Sequence, residues 1–374
     1  VLDYEVIIIG AGLAGLTAAI HLSQNSVSVL VLEKSPLPRH KVCGEYISNE
    51  VRPYFKSLGI DFGKEYPSIS KFRLQTTSGR STSCELPLGG FGISRYAIDN
   101  GLYVKSLENG VKFRFENVED VVFNNNSFLV ETKSGRFHSK YVLGCFGKRS
   151  TMDKKFNRPF IQRKSPWLGI KGHYYSKEFP HDLVALGTFK GGYGGLSMVE
   201  DNKVNFCYLV SYESFKEIGD IMGFNEKIVS KNPMLRAFLE HSELTEDFIK
   251  PISISQISFE KKRAVENHML MCGDSAGLIH PLCGNGMAMA ITSAKLASEI
   301  LIAGLKGSID RDNLEKTYSI KWKNEFSKRL AFGRNFQNLF LKPFLLESGL
   351  GILRTNQKLL PYLISKTHGK PMVV

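Results

Sequence analysis

Residues 4–33, YEVIIIGAGLAGLTAAIHLSQNSVSVLVLE, leave the chain little freedom in what it can become. Residues 4–9 are a short apolar run rich in β-branched side chains and read as a buried strand. Gly10-Ala11-Gly12-Leu13-Ala14-Gly15 then turns into a helix predicted to run to about Gln24. Residues 27–32 read as a second strand, closed by Glu33. This is β-α-β with G-x-G-x-x-G at its first turn. Gly10 permits the tight turn, Gly12 lets a pyrophosphate approach the backbone, and Gly15 lets helix and strand pack closely. The backbone N–H groups at Leu13 and Ala14 open the helix with its positive dipole end toward the phosphates. Glu33, with Lys34 beside it, stands where adenosine ribose hydroxyls are bound. A dinucleotide is the expected ligand.

A nicotinamide alone needs no second glycine-rich site far from the first, yet residues 272–286 supply one: CGDSAGLIHPLCGNG. An extended FAD does need it, because its ribityl chain and isoalloxazine lie well away from the adenosine. A carboxylate after a short strand, as at Asp274, can accept hydrogen bonds from ribityl hydroxyls. Gly284, Asn285 and Gly286 let backbone N–H groups approach a flat ring. The helix expected from about Met287 to Ala303 aims its positive end at the flavin N1/C2=O edge. FAD is therefore the expected cofactor, with NAD(P)H or another reductant as electron donor.

Together these motifs resemble the flavoprotein superfamily of p-hydroxybenzoate hydroxylase, which includes aromatic hydroxylases, flavin halogenases and geranylgeranyl reductases. Gly273-Asp274 and Pro281-x-x-Gly284-x-Gly286 carry the resemblance. Arg95, in Gly92-Ile93-Ser94-Arg95 followed by Asp99 and Leu102, matches that superfamily's arginine near the cofactor. The chain is most similar to the geranylgeranyl reductase branch: Lys41-Val42-Cys43-Gly44 matches its Lys-x-Cys-Gly stretch, and residues 273–281 match its GDAAG-x-x-x-P segment. The resemblance implies an α/β fold, a Rossmann-type FAD-binding domain with a mixed β-sheet substrate domain. It also places Lys41, Cys43 and Gly44 on the loop beside the isoalloxazine. Cys43 is then either a group that acts on substrate or a small buried filler. Glu45 is expected to face solvent.

Three departures limit what carries over. Where the family has an Asp-Gly pair, this chain reads Cys145-Phe146-Gly147-Lys148, so the aspartate is lost. The reductases' Tyr-x-Trp-x-Phe-Pro wall corresponds to Tyr193-Gly194-Gly195-Leu196-Ser197-Met198, in which Tyr193 alone survives. The halogenase Trp-x-Trp-x-Ile-Pro signature is missing. Tyr193 and His280 join Cys43 as candidate catalytic groups, since a histidine near neutrality can serve as proton donor. Two enzymatic readings stay open. One is reduction of C=C bonds in an isoprenoid or lipid-like substrate by hydride from reduced flavin. The other is hydroxylation of an aromatic or polyketide-like ring through a C4a-hydroperoxide. A non-catalytic, membrane-associated FAD protein is the third.

The expected division is 1–67, 91–158 and 255–308 for the FAD-binding domain and 68–90 with 159–254 for the substrate domain. A basic helical segment, 309–374, follows. Of the net charge of +13, much lies in that last segment: from Arg311 on, twelve basic side chains face four acidic ones. They interleave with Trp322, Phe326, Phe336, Phe340, Leu346 and Leu360 at helical spacing. That pattern suits either a packed cap or a helix on an anionic membrane surface. No nucleic-acid motif is present. No uninterrupted apolar run reaches the ~20 residues of a membrane span. The six scattered cysteines show no metal-ligand spacing, so a cytoplasmic setting, peripheral to a membrane at most, is expected and no metal.

Overall fold

The computed structural model describes residues 2–61 and 65–373. Strand Tyr4–Ile9 is apolar throughout its inner part because it lies in the middle of a parallel sheet covered on both faces. It pairs in parallel with Val29–Leu32, which pairs with Lys112–Arg114. On its other side lies Arg136–Gly144, which pairs with Met269–Met271. All these strands run the same way, so Gly10, Glu33, Cys145 and Cys272 gather at one sheet edge. The strand order reverses beside Tyr4–Ile9, which opens a crevice there of the kind that binds ligands in doubly wound sheets.

Helix Leu13–Gln24 packs against helix Gly286–Leu305 over this sheet. Among the described residues, Gly286–Leu305 is the one helix long and apolar enough to cross a membrane. Lys295 and Glu299 interrupt it in sequence, and more than half of it is buried inside the protein, with Ile291, Ala294 and Leu301 in the core.

The second sheet has nine strands, mostly antiparallel. Along strand Trp167–Tyr175, Leu168, Ile170 and Tyr174 enter a separate apolar core with Phe224, Leu235 and Phe238. Alternation therefore turns Gly169, Lys171 and His173 to the opposite face, toward the first sheet. The region 215–248 holds a set of short helices. Pro233 starts one of them, Pro233–Glu240, behind the Asn232 cap. Strand Tyr46–Ser48 pairs with Ser81–Gly92 in the second sheet, so the chain changes layers at Cys43–Glu45, within the 1–67 segment.

The last segment forms helices Arg311–Phe340, Pro343–Thr355 and Leu359–Ser365. Leu314, Tyr318, Trp322, Phe326 and Leu330 bury its first helix against the body of the protein.

Candidate active site

At the edge of the first sheet the glycines separate into two kinds. A Cβ at Gly10, whose φ is +104°, would lie 2.4 Å from the Cys145 carbonyl oxygen, and one at Gly15 would lie 2.0 Å from that of Gly10. The protein's own packing excludes side chains at both. At Gly12 a Cβ would meet nothing closer than Arg95 Nη2 at 3.8 Å. The space over Gly12 is what a phosphate against the backbone requires. Helix Leu13–Gln24 has no side-chain cap and no acidic residue in its first turn, so its N–H groups are open to an anion. Glu33 is buried beside this turn, Oε2 accepting from Ala11 N at 2.8 Å and Oε1 from Arg39 Nη2 at 2.9 Å. Lys34 is exposed. Arg39 went unmarked in the sequence because nothing near it signals that the loop folds back onto Glu33.

The second glycine cluster is built the same way. Gly273, at φ +58°, fits between Ala14 and Ala290, and its N–H donates to Ser293 Oγ at 2.8 Å. Lys262 Nζ ties the backbone together, donating to the carbonyls of Asp274 at 2.7 Å and Lys148 at 3.1 Å. Burial pushes its pKa down to about 8. After the turn Pro281–Cys283, Gly284 takes φ +62° and helix Gly286–Leu305 begins, again with no side-chain cap and no acid in its first turn. The side chain of Asn285 instead donates to Glu50 Oε2 at 3.1 Å.

Gly12, Leu13 and Ala14 share one cavity of about 420 Å³ with Gly273, Asp274, Pro281, Gly284, Gly286 and Met287. Two uncapped helix N-termini opening on one space, with the Glu33 carboxylate buried behind the first turn and a glycine turn at the second, fit FAD. Gly10–Gly15 and Glu33 would hold its adenosine and pyrophosphate, and Asp274 and Gly284–Met287 its ribityl chain and ring.

Arg95 also lines this cavity. Burial opposes its charge, but the Asp99 carboxylate outweighs burial, accepting from Nε at 3.0 Å and Nη2 at 2.8 Å. The same carboxylate takes Lys41 Nζ at 2.7 Å, so Lys41 braces Asp99 rather than lining the cavity.

The second sheet fixes the loop 43–45 residue by residue. Asn205 Nδ2 donates to the Cys43 carbonyl at 3.2 Å and Ser197 Oγ to the Gly44 carbonyl at 3.1 Å. Glu45, expected at the surface, is fully buried. Its Oε1 accepts from Lys171 Nζ and from Arg95 N at 2.6 Å, and its Oε2 lies 2.6 Å from His173 Nε2. Burial alone would raise its pKa; Lys171 and His173 reverse this and hold it at about 2. Solvent exposure was a fair expectation for a lone glutamate after glycine, because its partners lie on a distant strand.

Of the candidate catalytic groups, Cys43 and Tyr193 line the cavity. Tyr193 is buried, and its hydroxyl accepts from Leu282 N at 3.3 Å. His280 does not reach the cavity, although its neighbours Ile279 and Pro281 do. Its ring stacks on Phe259 at 3.8 Å, Nδ1 bonds Gln337 Oε1, and burial pushes its pKa down to about 4. Phe146, in place of the family's aspartate, also stays off the cavity wall, while Cys145, Gly147 and Lys148 line it. Lys148 Nζ donates to the Val42 carbonyl at 3.1 Å, which steadies the loop before Cys43.

Further wall comes from the second sheet, through Phe72, Leu74 and Leu186, and from the last segment, through Phe332, Phe336, Phe340, Leu346, Leu353 and Leu363. The amphipathic spacing in the sequence signalled a buried face there, but not what that face would enclose. Among the described residues no group of side chains is placed to hold a metal.

A family model described as FAD dependent oxidoreductase matches residues 5–42. The digeranylgeranylglycerophospholipid reductase 2 of Methanothermobacter thermautotrophicus is 24% identical over 362 residues, covering 90% of this chain and 88% of its own. Among solved structures, the flavin-dependent brominase Bmp2 superposes with a TM-score of 0.77 at 16% identity, covering 97% of this chain and 93% of its own. The PqsL protein of P. aeruginosa, in complex with 2-aminobenzoylacetate, gives 0.74 at 14% identity, covering 93% and 99%. The structural likenesses speak for the fold alone, a Rossmann-type layer with a mixed-sheet second layer.

Proposed function

We propose that this chain, an FAD-dependent oxidoreductase similar to geranylgeranyl reductases, reduces C=C bonds of a lipophilic, isoprenoid or lipid-like substrate. One observation carries the reading: the cavity at Gly284–Met287 continues without interruption into an apolar space walled by the last three helices. That space suits an extended hydrocarbon, and a relative of nearly the same length bears the name of a lipid reductase.

Bound FAD would supply the hydride, with NAD(P)H or another reductant as its electron donor. The chain's own residues position and polarise. The charged Arg95 and the start of helix Gly286–Leu305 favour negative charge at the ring end of the cavity. The Cys43 thiol, on a loop pinned by Asn205, Ser197 and Lys171, is the group that gives a proton to the second carbon of the double bond. Tyr193 acts as wall. His280, held by Phe259 and Gln337, supports the turn and takes no part in proton transfer.

Uptake takes place at an anionic membrane surface on the cytoplasmic side. Helix Pro343–Thr355 turns Leu346 and Leu353 to the cavity, exposes Phe344 and Leu345 outward, and sets Ile352 at the cavity rim, where it is both lining and exposed. Lys342 and Arg354 flank that face.

The test is anaerobic mixing of the reduced holoenzyme with unsaturated isoprenoid lipids, followed by flavin absorbance and product mass. Reoxidation with gain of two hydrogens supports the reading. Product formed only with O2, one oxygen heavier, assigns a monooxygenase instead. No turnover of any acceptor points to a binding protein.

A further inference from the structure

We infer that His368 Nε2 accepts a hydrogen bond from a hydroxyl on the substrate, so that the cavity selects a lipophilic alcohol or phenol over an ether or a bare hydrocarbon. The inference rests on the lipophilic reading above and adds the polar group that reading leaves open.

Nearly every polar side chain on the cavity wall is satisfied within the protein. Tyr193 receives Leu282 N, Ser197 donates to the Gly44 carbonyl, Lys148 to that of Val42, and Thr367 Oγ1 to that of Ile364 at 2.7 Å. Among the described residues, fourteen buried side-chain nitrogens and oxygens lack a hydrogen-bond partner, and one of them belongs to a cavity-lining residue: His368 Nε2. A buried polar atom in a well-formed site is normally paired, so an orphan on a ligand cavity marks where a ligand atom belongs.

The chemistry of that atom is settled at the other ring nitrogen. Nδ1 lies 3.0 Å from the carbonyl oxygen of Ile364, which can only accept, and 3.0 Å from Thr367 Oγ1, whose own proton goes to that same carbonyl, so the proton is assigned to Nδ1. Burial lowers the pKa of the ring and keeps it neutral. Nε2 therefore presents a lone pair and requires a donor. An ionised phosphate, which offers only acceptors, is disfavoured at this point.

The position is close to the cofactor end. The His368 ring stands edge-on to Tyr46, centroids 6.3 Å apart, and Tyr46 Cδ1 lies 3.3 Å from where a Cβ of Gly284 would be. The segment is tied in place by Glu50, which accepts from Gly369 N at 2.5 Å and from Asn285 Nδ2 at 3.1 Å and so links the tail to the start of helix Gly286–Leu305.

The experiment titrates the oxidised holoenzyme with geranylgeraniol and with its methyl ether, following the flavin difference spectrum without turnover. We expect the alcohol to bind about tenfold more tightly than the ether, the preference one well-formed hydrogen bond gives. His368→Phe should remove that preference by weakening the alcohol alone. His368→Gln, whose amide oxygen can accept, should restore part of it. Equal affinities in the wild-type protein, or equal loss of both ligands in His368→Phe, overturn the inference and leave the lipophilic reading standing. Binding of neither ligand overturns both. The wild-type comparison decides the matter even where His368→Phe does not fold.

Discussion

Lys171 Nζ pairs with Glu45 Oε1 with neither side chain reaching solvent, across 126 positions of sequence. The pair joins the two sheets where the chain crosses between them, and it holds Glu45 at a φ of +56°, a conformation uncommon for a side-chain-bearing residue. Strain of this kind persists where surrounding contacts over-determine it, and functional loops are where it collects. Here the loop is the one that presents Cys43 to the cavity.

Breaking the pair from one side should therefore be costly. Lys171→Met leaves a buried carboxylate with one cationic partner fewer and should destabilise the protein by about 3–5 kcal/mol. Urea unfolding measures it, and Glu45→Gln combined with Lys171→Met should recover much of the loss. An equal loss in the double variant would mean that shape, not charge, sets the cost. The pH sign follows from the carboxylate: its pKa falls from 4.5 to about 2 on folding. Its contribution is thus present above pH 4.5 and lost as pH falls toward 2, so wild type and Glu45→Gln should converge in melting temperature over that window.

The two kinds of glycine at the first turn should part company on substitution. Gly10→Ala meets the Cys145 carbonyl and should lower the melting temperature of the FAD-free protein. Gly12→Ala meets nothing close and should leave that temperature within a degree or so while costing FAD affinity more than about tenfold. The ratio of flavin to protein absorbance, taken with the melting curve, reads both effects.

Cys43 and His280, both candidates in the sequence, should behave differently. Cys43→Ala should retain FAD and slow substrate reduction by about 10²-fold, the scale of a lost general acid. His280→Gln should stay within about threefold of wild type in rate. Its effect should appear as stability instead. Burial lowers the His280 pKa from 6.5 to about 4, so the wild-type protein loses stability as pH falls through that range, and the variant should lose less.

The outer face of helix Pro343–Thr355 predicts membrane behaviour. Phe344 is 81% exposed and Ile352 61%. Phe344→Glu or Ile352→Glu should weaken co-sedimentation with anionic vesicles about tenfold or more, and added salt should weaken the wild type. Unchanged binding in both variants would place the contact elsewhere.

The sequence by itself determined the first sheet's core and the cofactor. A parallel strand buried on both faces must be apolar throughout, and a phosphate against a backbone must have glycine. Those demands are local, so residues 4–33 and 272–286 carry them openly. Strand Trp167–Tyr175 shows the opposite case. Its alternation sets Lys171 and His173 on the face opposite Leu168 and Ile170, but periodicity cannot tell water from a distant carboxylate. Only the tertiary structure put Glu45 opposite them and closed the space. The last helices make the same point. Their spacing declared an apolar face, but whether that face would cover a core, meet a lipid surface or wall a cavity depended on where the chain returned. It returned to the start of helix Gly286–Leu305, where Glu50 takes Gly369 and Asn285, and His368 was carried to the cavity wall with it.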